Sequence, residues 1–255
     1  MKVALLGPCG TYTHQAAERC FDEYDPVFCR TLHDVMEHDA RKVIPFENSL
    51  GGGVGEAVDV LRAERPRVTG EQFLEIEHCL VAAEPLASIE TVVSHPQALD
   101  QCRAFIREHG WDTVEAASTA AAAAGLEEGQ AAIASRLAAE VNGLRVLEEG
   151  VQDRRSVTRF LVLGGEPEAA EKTSLILEPG EDAPGLLHDL LGCFADRGIN
   201  LSYIQSRPTK AGLGEYFFYL EADAGSSDPR FEEARNCLEE KTDVTVLGSY
   251  AAGER

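Results

Sequence analysis

Lysine is scarce in this chain of 255 residues, where it occurs only at positions 2, 42, 172, 210 and 241. Arginine supplies the other bases, yet 44 acidic residues outnumber all 23 basic ones and leave a net charge of −21. Because nucleic acids and anionic membrane surfaces are bound by basic patches, this balance argues against both as the main partner. Few lysines under a large acidic excess are typical of proteins that stay soluble in concentrated salt, so we predict a halophilic protein.

Long hydrophobic runs are also missing. No stretch approaches 18 apolar residues, which argues against a membrane-spanning helix. The first apolar run ends in a turn at Gly7-Pro8 and is too short for a signal peptide, so we expect a cytoplasmic protein. The cysteines number seven and include no pair spaced as CxxC, so we expect reduced thiols instead of a disulfide frame or a zinc site.

Two patterns of apolar residues divide the chain. Residues 1–165 alternate short apolar runs with helical patterns, which predicts an α/β domain with parallel strands and a second lobe over about 77–155. A linker rich in Gly, Pro and Glu follows at residues 164–168. Over residues 172–250, the order strand, helix, strand, strand, helix, strand predicts a ferredoxin-like βαββαβ domain.

The apolar periodicity also predicts individual elements. In the first domain we expect strands at 2–6, 42–46, 91–94, 131–134 and 159–163, and helices at 14–21, 54–63, 96–106, 118–125 and 136–142. In the second domain we expect strands at 174–177, 200–206, 215–221 and 244–247, and helices at 184–197 and 231–240.

Five polar clusters fall at the strand ends or helix starts of the first domain, where open α/β sheets bind ligands. They lie at residues 7–13, 44–54, 94–102, 117–122 and 153–162. Glycine turns before helices present N–H groups to anions, and hydroxyl and amide side chains add neutral donors. Taken singly, each cluster is explained about as well by a turn, a helix cap or a surface ion pair. His95 is better explained as a turn histidine bonded to backbone than as a base, because no Asp or Cys partner is identifiable.

Taken together and in this order, the clusters resemble the motifs of the prephenate dehydratase family. The matches are G-P-x-G-T-x-[ST] from Gly7, P-x-E-N-S-x-x-G-x-V from Pro45, S-H-P-Q-A-L-x-Q-C from Ser94, S-T-A-x-A-A from Ser118 and T-R-F from Thr158. The C-terminal part resembles the ACT regulatory domain of the same enzymes, with P-G-x-L at 184–187 and I-N-[LM]-[ST]-x-I-E-S-R-P at 199–208. Two positions depart from the family pattern: Ser156 replaces the asparagine of N-x-T-R-F, and Gln205 replaces the glutamate of E-S-R-P.

The resemblance implies a fold and an activity. The fold is α/β, with a two-lobed catalytic domain like the type II periplasmic binding proteins and a C-terminal ferredoxin-like ACT domain. The activity is that of a lyase in L-phenylalanine biosynthesis, which converts prephenate to phenylpyruvate, carbon dioxide and water. Ring aromatisation drives this reaction, so no cofactor and no metal are implied.

The resemblance also assigns residues. Thr158 is the implied catalytic residue, as a hydrogen-bond donor to the leaving hydroxyl. The expected substrate contacts are Asn48, Ser49, Ser94, Gln101 and Arg159, followed by Thr11, Ser118 and Thr119. The residues expected near the effector L-phenylalanine are Gly185, Leu186, Asn200 and Leu201. Gln205 leaves the strength of that regulation open.

Three alternatives stay open at this point. Arogenate dehydratase performs the same chemistry on the amino-acid analogue of prephenate. A non-catalytic two-lobed amino-acid-binding protein with a regulatory module, or a purely regulatory sensor, would leave the T-R-F motif or the polar clusters unexplained. The ACT-like domain further predicts a homo-oligomer, either a dimer or a tetramer.

Overall fold

The computed structural model describes residues 1–167, 169–180, 183–212 and 214–254, so Glu168 of the predicted linker lies outside the described residues. The strands are β1 (Lys2–Leu6), β2 (Asp25–Cys29), β3 (Arg41–Asn48), β4 (Gly52–Gly53), β5 (Val68–Ile76), β6 (Cys79–Ala82), β7 (Thr91–Ser94), β8 (Asp112–Glu115), β9 (Gln130–Ala134), β10 (Arg145–Glu148), β11 (Ser156–Leu163), β12 (Lys172–Glu178), β13 (Leu201–Pro208), β14 (Tyr216–Ala222) and β15 (Asp243–Tyr250). The helices are α1 (Tyr12–Cys20), α2 (Leu32–Glu37), α3 (Gly55–Glu64), α4 (Pro96–Gln101), α5 (Arg103–His109), α6 (Thr119–Ala124), α7 (Arg136–Asn142), α8 (Leu186–Ala195) and α9 (Pro229–Glu239).

These elements form two compact units that do not follow chain order. The first unit comprises residues 1–38, 43–52 and 73–160, and the second comprises residues 39–42, 53–72 and 161–255. Helix α3 therefore belongs with the C-terminal strands, although it follows the second polar cluster directly in sequence.

One half of the first unit contains most of a six-stranded sheet with the order β2-β1-β3-β11-β5 and with β4 paired to β3. Strand β1 is an apolar run whose Val3, Ala4 and Leu5 are fully buried, and it pairs in parallel with β2. A short strand that is apolar at successive positions is covered on both faces, as parallel strands are in α/β proteins. The α/β class predicted for this region is confirmed.

The other half is built on a five-stranded sheet with the order β10-β6-β9-β7-β8. Strand β7 runs parallel to β8 and β9, whereas β6 runs antiparallel to β9 and β10. The prediction of parallel strands therefore holds for only part of this sheet. Buried alanines of α6 and β9 share one apolar cluster, because their small side chains let the helix lie close to the strands.

The predicted helix at 96–106 is two helices. Helix α4 begins at Pro96 and ends at Gln101, and α5 begins at Arg103. Between them, Cys102 has φ −116° and ψ 22°, outside the α-helical region. The apolar periodicity runs through both helices because their buried residues, Ala98 and Ile106, pack into one cluster.

The second unit contains the predicted βαββαβ order, which is confirmed. Its four-stranded antiparallel sheet has the order β13-β14-β12-β15. Helices α8 and α9 bury Phe194 and Phe231 against sheet residues such as Leu175 and Leu220. Helix α3 is tied to this part of the unit by Asp59, which accepts hydrogen bonds from the Arg207 guanidinium at 3.1 and 2.8 Å.

A disulfide joins Cys193 of α8 to Cys237 of α9, with their Cα atoms 5.8 Å apart. The expectation that every cysteine is a reduced thiol is therefore wrong for this pair. The two residues are 44 positions apart, and only the packing of the two helices on one sheet brings them together. The free thiols among the described residues are those of Cys9, Cys20, Cys29, Cys79 and Cys102.

Seven elements have no counterpart among the predicted strands and helices, namely β2, β4, β5, β6, β8, β10 and α2. Strand β8 is exposed at every position and lies at a sheet edge, so its sequence shows no apolar alternation. Over the described residues, none of the helices combines the length and the apolar character needed to cross a bilayer.

Candidate functional site

Strand ends and helix starts from both sheets of the first unit surround one cavity of about 370 Å³. Six residues predicted for the site line it, namely Thr11, Asn48, Gln101, Ser118, Thr119 and Thr158. Polar residues that the prediction missed also line it, and these include Tyr12, Thr13, Arg30, His78 and Gln97. Three predicted contacts, Ser49, Ser94 and Arg159, do not line it.

The amide of Asn48, at the end of β3, uses all of its hydrogen-bonding groups within the protein. Its Nδ2 donates to Ser156 Oγ at 2.8 Å and to Thr158 Oγ1 at 2.9 Å. Its Oδ1 accepts from the backbone N–H of Leu50 at 3.0 Å and of Gly51 at 2.9 Å. An asparagine side chain has two donor hydrogens and two acceptor lone pairs, so this geometry leaves none of them for a ligand.

Thr158 lines the cavity with a hydroxyl whose orientation is set by Asn48. Because Oγ1 accepts the Asn48 hydrogen, the hydroxyl hydrogen must be donated elsewhere. Within the described part of the chain, no protein acceptor lies within hydrogen-bonding reach of it. Thr158 is therefore a hydrogen-bond donor available to whatever occupies the cavity.

Ser49 holds the start of β11 in place. Its Oγ accepts from the Val157 N–H at 3.0 Å, and its own N–H donates to the Val157 carbonyl at 2.9 Å. This pair of bonds fixes the backbone next to Thr158. Ser49 thus supports the site from outside the cavity, which differs from the expected substrate contact.

The cation at the cavity is not the expected one. Arg159 lies between Thr158 and Phe160, and successive strand residues point to opposite faces. Its side chain is 4% exposed, lies over the Phe46 ring at 4.7 Å, and places Nε 3.5 Å from Glu47 Oε2. Arg30, directly after β2, is the one Arg or Lys among the described residues that line the cavity. Its guanidinium can bind a carboxylate in bidentate fashion.

Ser94 is fully buried at the end of β7. Its Oγ donates to the Ile133 carbonyl at 2.6 Å and so ties β7 to β9. Its position at a strand end predicted a ligand contact, but its hydroxyl is bonded to the neighbouring strand and the residue does not line the cavity.

The remaining residues at helix starts cap their helices and also line the cavity. Thr11 and Ser118 accept the cap hydrogen bonds of α1 and α6, at 3.2 and 3.0 Å, while facing the cavity. His95 Nδ1 accepts from the Gln97 N–H at 3.3 Å, as expected of a turn histidine, and the residue also lines the cavity. These caps leave the helix-start backbone at the cavity wall, where its partial positive charge favours anions.

A hydrogen-bonded chain links Tyr12, His78 and Gln101 at the cavity wall. Tyr12 Oη lies 2.8 Å from His78 Nδ1, and His78 Nε2 lies 2.9 Å from Gln101 Oε1. Burial lowers the pKa of His78, so the ring is neutral near pH 7. Burial, and then the nearby Cys79, raises the pKa of Tyr12 well above its usual value, so the phenol keeps its hydrogen.

The residues expected near the effector lie in the second unit. Gly185 precedes α8 with φ +86°, a left-handed conformation that favours glycine, and Leu186 is the first residue of that helix. Leu186 and Leu201 both pack against the apolar core under α8 and α9. Asn200 precedes β13, and its Nδ2 donates to Asp223 Oδ2 at 2.6 Å.

Only some of the cavity residues that the prediction omitted could have been found from the sequence. Tyr12 and Gln97 lie inside recognised motifs, whereas Arg30 and His78 lie outside all five polar clusters and had no local signal. Over the described residues, no group of three or more His, Cys, Asp or Glu side chains is arranged to hold a metal ion.

Comparison with known proteins finds relatives that match nearly the whole chain. A family model described as prephenate dehydratase matches residues 3–168, and one described as ACT domain matches residues 180–238. The chain is 36% identical to the prephenate dehydratase of Methanocaldococcus jannaschii over 95% of both chains. It is also 36% identical to arogenate dehydratase 2 of Petunia hybrida, over 98% of this chain and 71% of that protein. The crystal structure of a prephenate dehydratase from Arthrobacter aurescens in complex with L-Phe matches with a TM-score of 0.91 and 35% identity, over 98% of this chain and 90% of that one.

Proposed function

Because this chain belongs to the prephenate dehydratase family and acts as a lyase on prephenate, we propose that the reaction takes place in the strand-end cavity of the first unit, with Thr158 as its catalytic residue. The observation that carries the proposal is the Asn48–Thr158 hydrogen bond. It occupies one side of the threonine oxygen and leaves its hydrogen for the substrate.

The chemistry of prephenate explains why such a donor matters. The carboxylate that leaves as carbon dioxide and the ring hydroxyl stand on opposite ring carbons. When the bond to this carboxylate breaks, its electron pair moves through the ring and expels the hydroxyl, which takes up a proton to become water. The departing oxygen gains negative charge, and removing one donor aimed at such charge typically costs about 10²–10³ in kcat.

Threonine is a poor acid, so we assign Thr158 the hydrogen bond to the departing oxygen, while water supplies the proton. Asn48 and Ser49 are then positioning residues. Asn48 orients the Thr158 hydroxyl, and Ser49 fixes the backbone beside it. Arg159 supports the same strand from its opposite face, next to Phe46.

Prephenate is a dianion, so its binding needs positive charge and hydrogen-bond donors at the cavity wall. Arg30 supplies positive charge there, and Gln101 supplies a side-chain amide. Thr11, Ser118 and Thr119 add hydroxyls close to helix-start backbone. These five residues are the proposed substrate contacts.

Initial rates of phenylpyruvate formation test the assignment of Thr158. We expect Thr158→Val, which keeps the shape but lacks the hydroxyl, to lower kcat by about 10²–10³. Thr158→Ser keeps the hydroxyl and serves as the matched control, with a loss of no more than about tenfold. A Thr158→Val enzyme as fast as the parent would remove this residue from the mechanism.

Arogenate is the alternative substrate, and the similarity to a plant arogenate dehydratase supports measuring it. The two substrates share the ring, the leaving groups and both carboxylates, so the proposed donors serve either one. The ratio of kcat/KM for prephenate to that for arogenate decides which is preferred. A ratio below one would make arogenate the principal substrate.

We also propose that L-phenylalanine inhibits the enzyme by binding near Gly185, Leu186, Asn200 and Leu201. The relative whose structure was solved with L-Phe supports this. Inhibition requires tighter binding to a less active state, with a difference of typically about 1–3 kcal/mol. Titration of the activity with L-phenylalanine, with D-phenylalanine as the control, tests the proposal, and no response to the L-enantiomer at millimolar concentration would contradict it.

The remaining proposals concern organisation and habitat. We propose a catalytic domain over residues 1–165, a regulatory domain over residues 172–250, and a homo-oligomer, dimer or tetramer. Light scattering on the purified protein measures the oligomer, and a monomer would contradict it. The net charge of −21 and the scarcity of lysine support a halophilic enzyme. A cytoplasmic location stays a prediction.

A further inference from the structure

The chain Tyr12–His78–Gln101 has a fixed number of hydrogens to share. The neutral His78 ring carries one, on either Nδ1 or Nε2. Tyr12 carries one, and its Oη lies near two acceptors, His78 Nδ1 at 2.8 Å and the Glu77 carbonyl at 2.9 Å. The position of these two hydrogens decides which end of the Gln101 amide faces the histidine.

Two arrangements satisfy the chain. In the first, His78 Nε2–H donates to Gln101 Oε1, Nδ1 accepts the Tyr12 hydrogen, and the Gln101 NH₂ group is left for the cavity. In the second, Nδ1–H donates to Tyr12 Oη, Tyr12 donates to the Glu77 carbonyl, and the Gln101 amide turns so that its oxygen is left for the cavity. The structure has Oε1 against Nε2, which is the first arrangement.

Two further points favour the first arrangement in the enzyme that binds substrate. The Gln101 amide nitrogen has no protein partner among the described residues, so it is available to a ligand. The carboxylates of the substrate are acceptors only, and an amide oxygen turned toward one of them would be repelled. His78 is itself only 3% exposed and is held by its backbone N–H, which donates to Gln152 Oε1 at 2.9 Å, so the ring is a rigid reference for the amide.

We propose that Tyr12 and His78 are positioning residues that hold the Gln101 amide with its NH₂ group toward the cavity, to bind the substrate carboxylate that remains in the product. This inference rests on the proposed function of the cavity. The retained carboxylate is the suitable partner, because a donor on the departing carboxylate would stabilise its charged ground state and oppose its loss as carbon dioxide. A contact to the retained carboxylate is equally strong in the ground state and the transition state, so it acts on KM and leaves kcat almost unchanged.

Two substitutions of His78 separate its two nitrogens. In His78→Gln, the side-chain amide nitrogen reaches the place of Nε2 and can still donate to Gln101. In His78→Asn, the amide nitrogen reaches only the place of Nδ1, next to Tyr12. We expect His78→Asn to raise the KM for prephenate by about ten- to hundredfold with kcat within about threefold of the parent, and His78→Gln to recover most of that loss. Equal KM values for the two variants would overturn the proposal.

Gln101→Leu separates this inference from the proposed function. If Gln101 binds substrate, Gln101→Leu raises KM, and adding His78→Asn to it raises KM no further, because His78 acts through the amide. If the effects of the two substitutions on KM add in the double variant, the positioning role of His78 is wrong, but the substrate contact of Gln101 stands. The same conclusion follows if Gln101→Leu raises KM and His78→Asn leaves it unchanged. An unchanged KM in Gln101→Leu overturns the substrate contact itself, and with it this inference. If the His78 variants do not fold, Tyr12→Phe gives the answer: a KM raised severalfold at constant kcat supports the proposal, and an unchanged KM refutes it.

Discussion

Replacing Asn48 by Asp gives the most direct test of how the site is oriented. Aspartate keeps an oxygen that accepts the backbone N–H groups of Leu50 and Gly51, which Asn48 Oδ1 accepts at 3.0 and 2.9 Å. Its second oxygen takes the place of Nδ2, which donates to Ser156 and Thr158. A carboxylate only accepts, so the Thr158 hydroxyl turns to donate to Asp and is no longer available to the substrate.

Two effects add to the expected loss. Withdrawal of the Thr158 donor lowers kcat by about 10²–10³, or about 3–4 kcal/mol of transition-state stabilisation. The new charge at the cavity wall repels the dianionic substrate, and two unit charges about 6 Å apart interact with roughly 3 kcal/mol at an effective dielectric constant of about 20. We therefore expect KM to rise as well, by at least about tenfold, since salt screens part of this repulsion.

The assay is the initial rate of phenylpyruvate formation over a range of prephenate concentrations, with urea unfolding to verify the fold. Ser156→Ala is the matched control, because it removes the other acceptor of the same NH₂ group and keeps the Asn48–Thr158 bond. We expect it to cost about 1–3 kcal/mol of stability, since one buried amide hydrogen loses its partner, with kcat within about threefold of the parent. A folded Asn48→Asp enzyme with a kcat within tenfold of the parent, or an equal loss in Ser156→Ala, would refute the reasoning.

Three further outcomes follow from charge. Lys172 Nζ lies 2.7 Å from Glu71 and 3.7 Å from Glu221, whose side chains are 1% and 0% exposed. Removing the lysine charge leaves buried carboxylates uncompensated, so Lys172→Met is expected to lower the free energy of unfolding, measured by urea titration, by about 3–5 kcal/mol. A change below about 1 kcal/mol would contradict this. Hydrogen bonding from Arg207 lowers the pKa of Asp59, so the stability that Asp59 contributes is present above its unfolded pKa of 3.8 and is lost as the pH falls through the lower folded pKa. Asp59→Asn should therefore lower the urea midpoint relative to the parent at pH 7, and by less below pH 3.8. An equal difference at both pH values would argue against the ion pair. With a net charge of −21, lowering the salt concentration should raise the KM for prephenate while the protein stays folded, and an unchanged or lower KM at low salt counts against this electrostatic account.

The fold was largely predictable where burial repeats with a regular period. Strands β1 and β7, helix α7 and the βαββαβ order of the C-terminal part all follow from local patterns of apolar residues and turn signals. The failures share one cause, because they depend on contacts that are distant in sequence. Strand β8 is exposed along its length and exists because it pairs with β7. The disulfide between Cys193 and Cys237 depends on two helices packing on one sheet.

The features of the site also fall into those that the sequence predicts and those that depend on contacts distant in sequence. The sequence by itself determined most of the segments that surround the cavity, because strand ends and helix starts meet at one edge of an open sheet. The family resemblance singled out Thr158 among their hydroxyl residues. Only the tertiary structure decided what each side chain contacts: Ser94 bonds to the neighbouring strand, Arg159 packs on Phe46, and Arg30 supplies the cation at the cavity. A hydrogen bond needs its partner within about 3 Å, and the partners of Asn48 and Tyr12 lie 110 and 66 residues away, so no local pattern in the sequence could specify them.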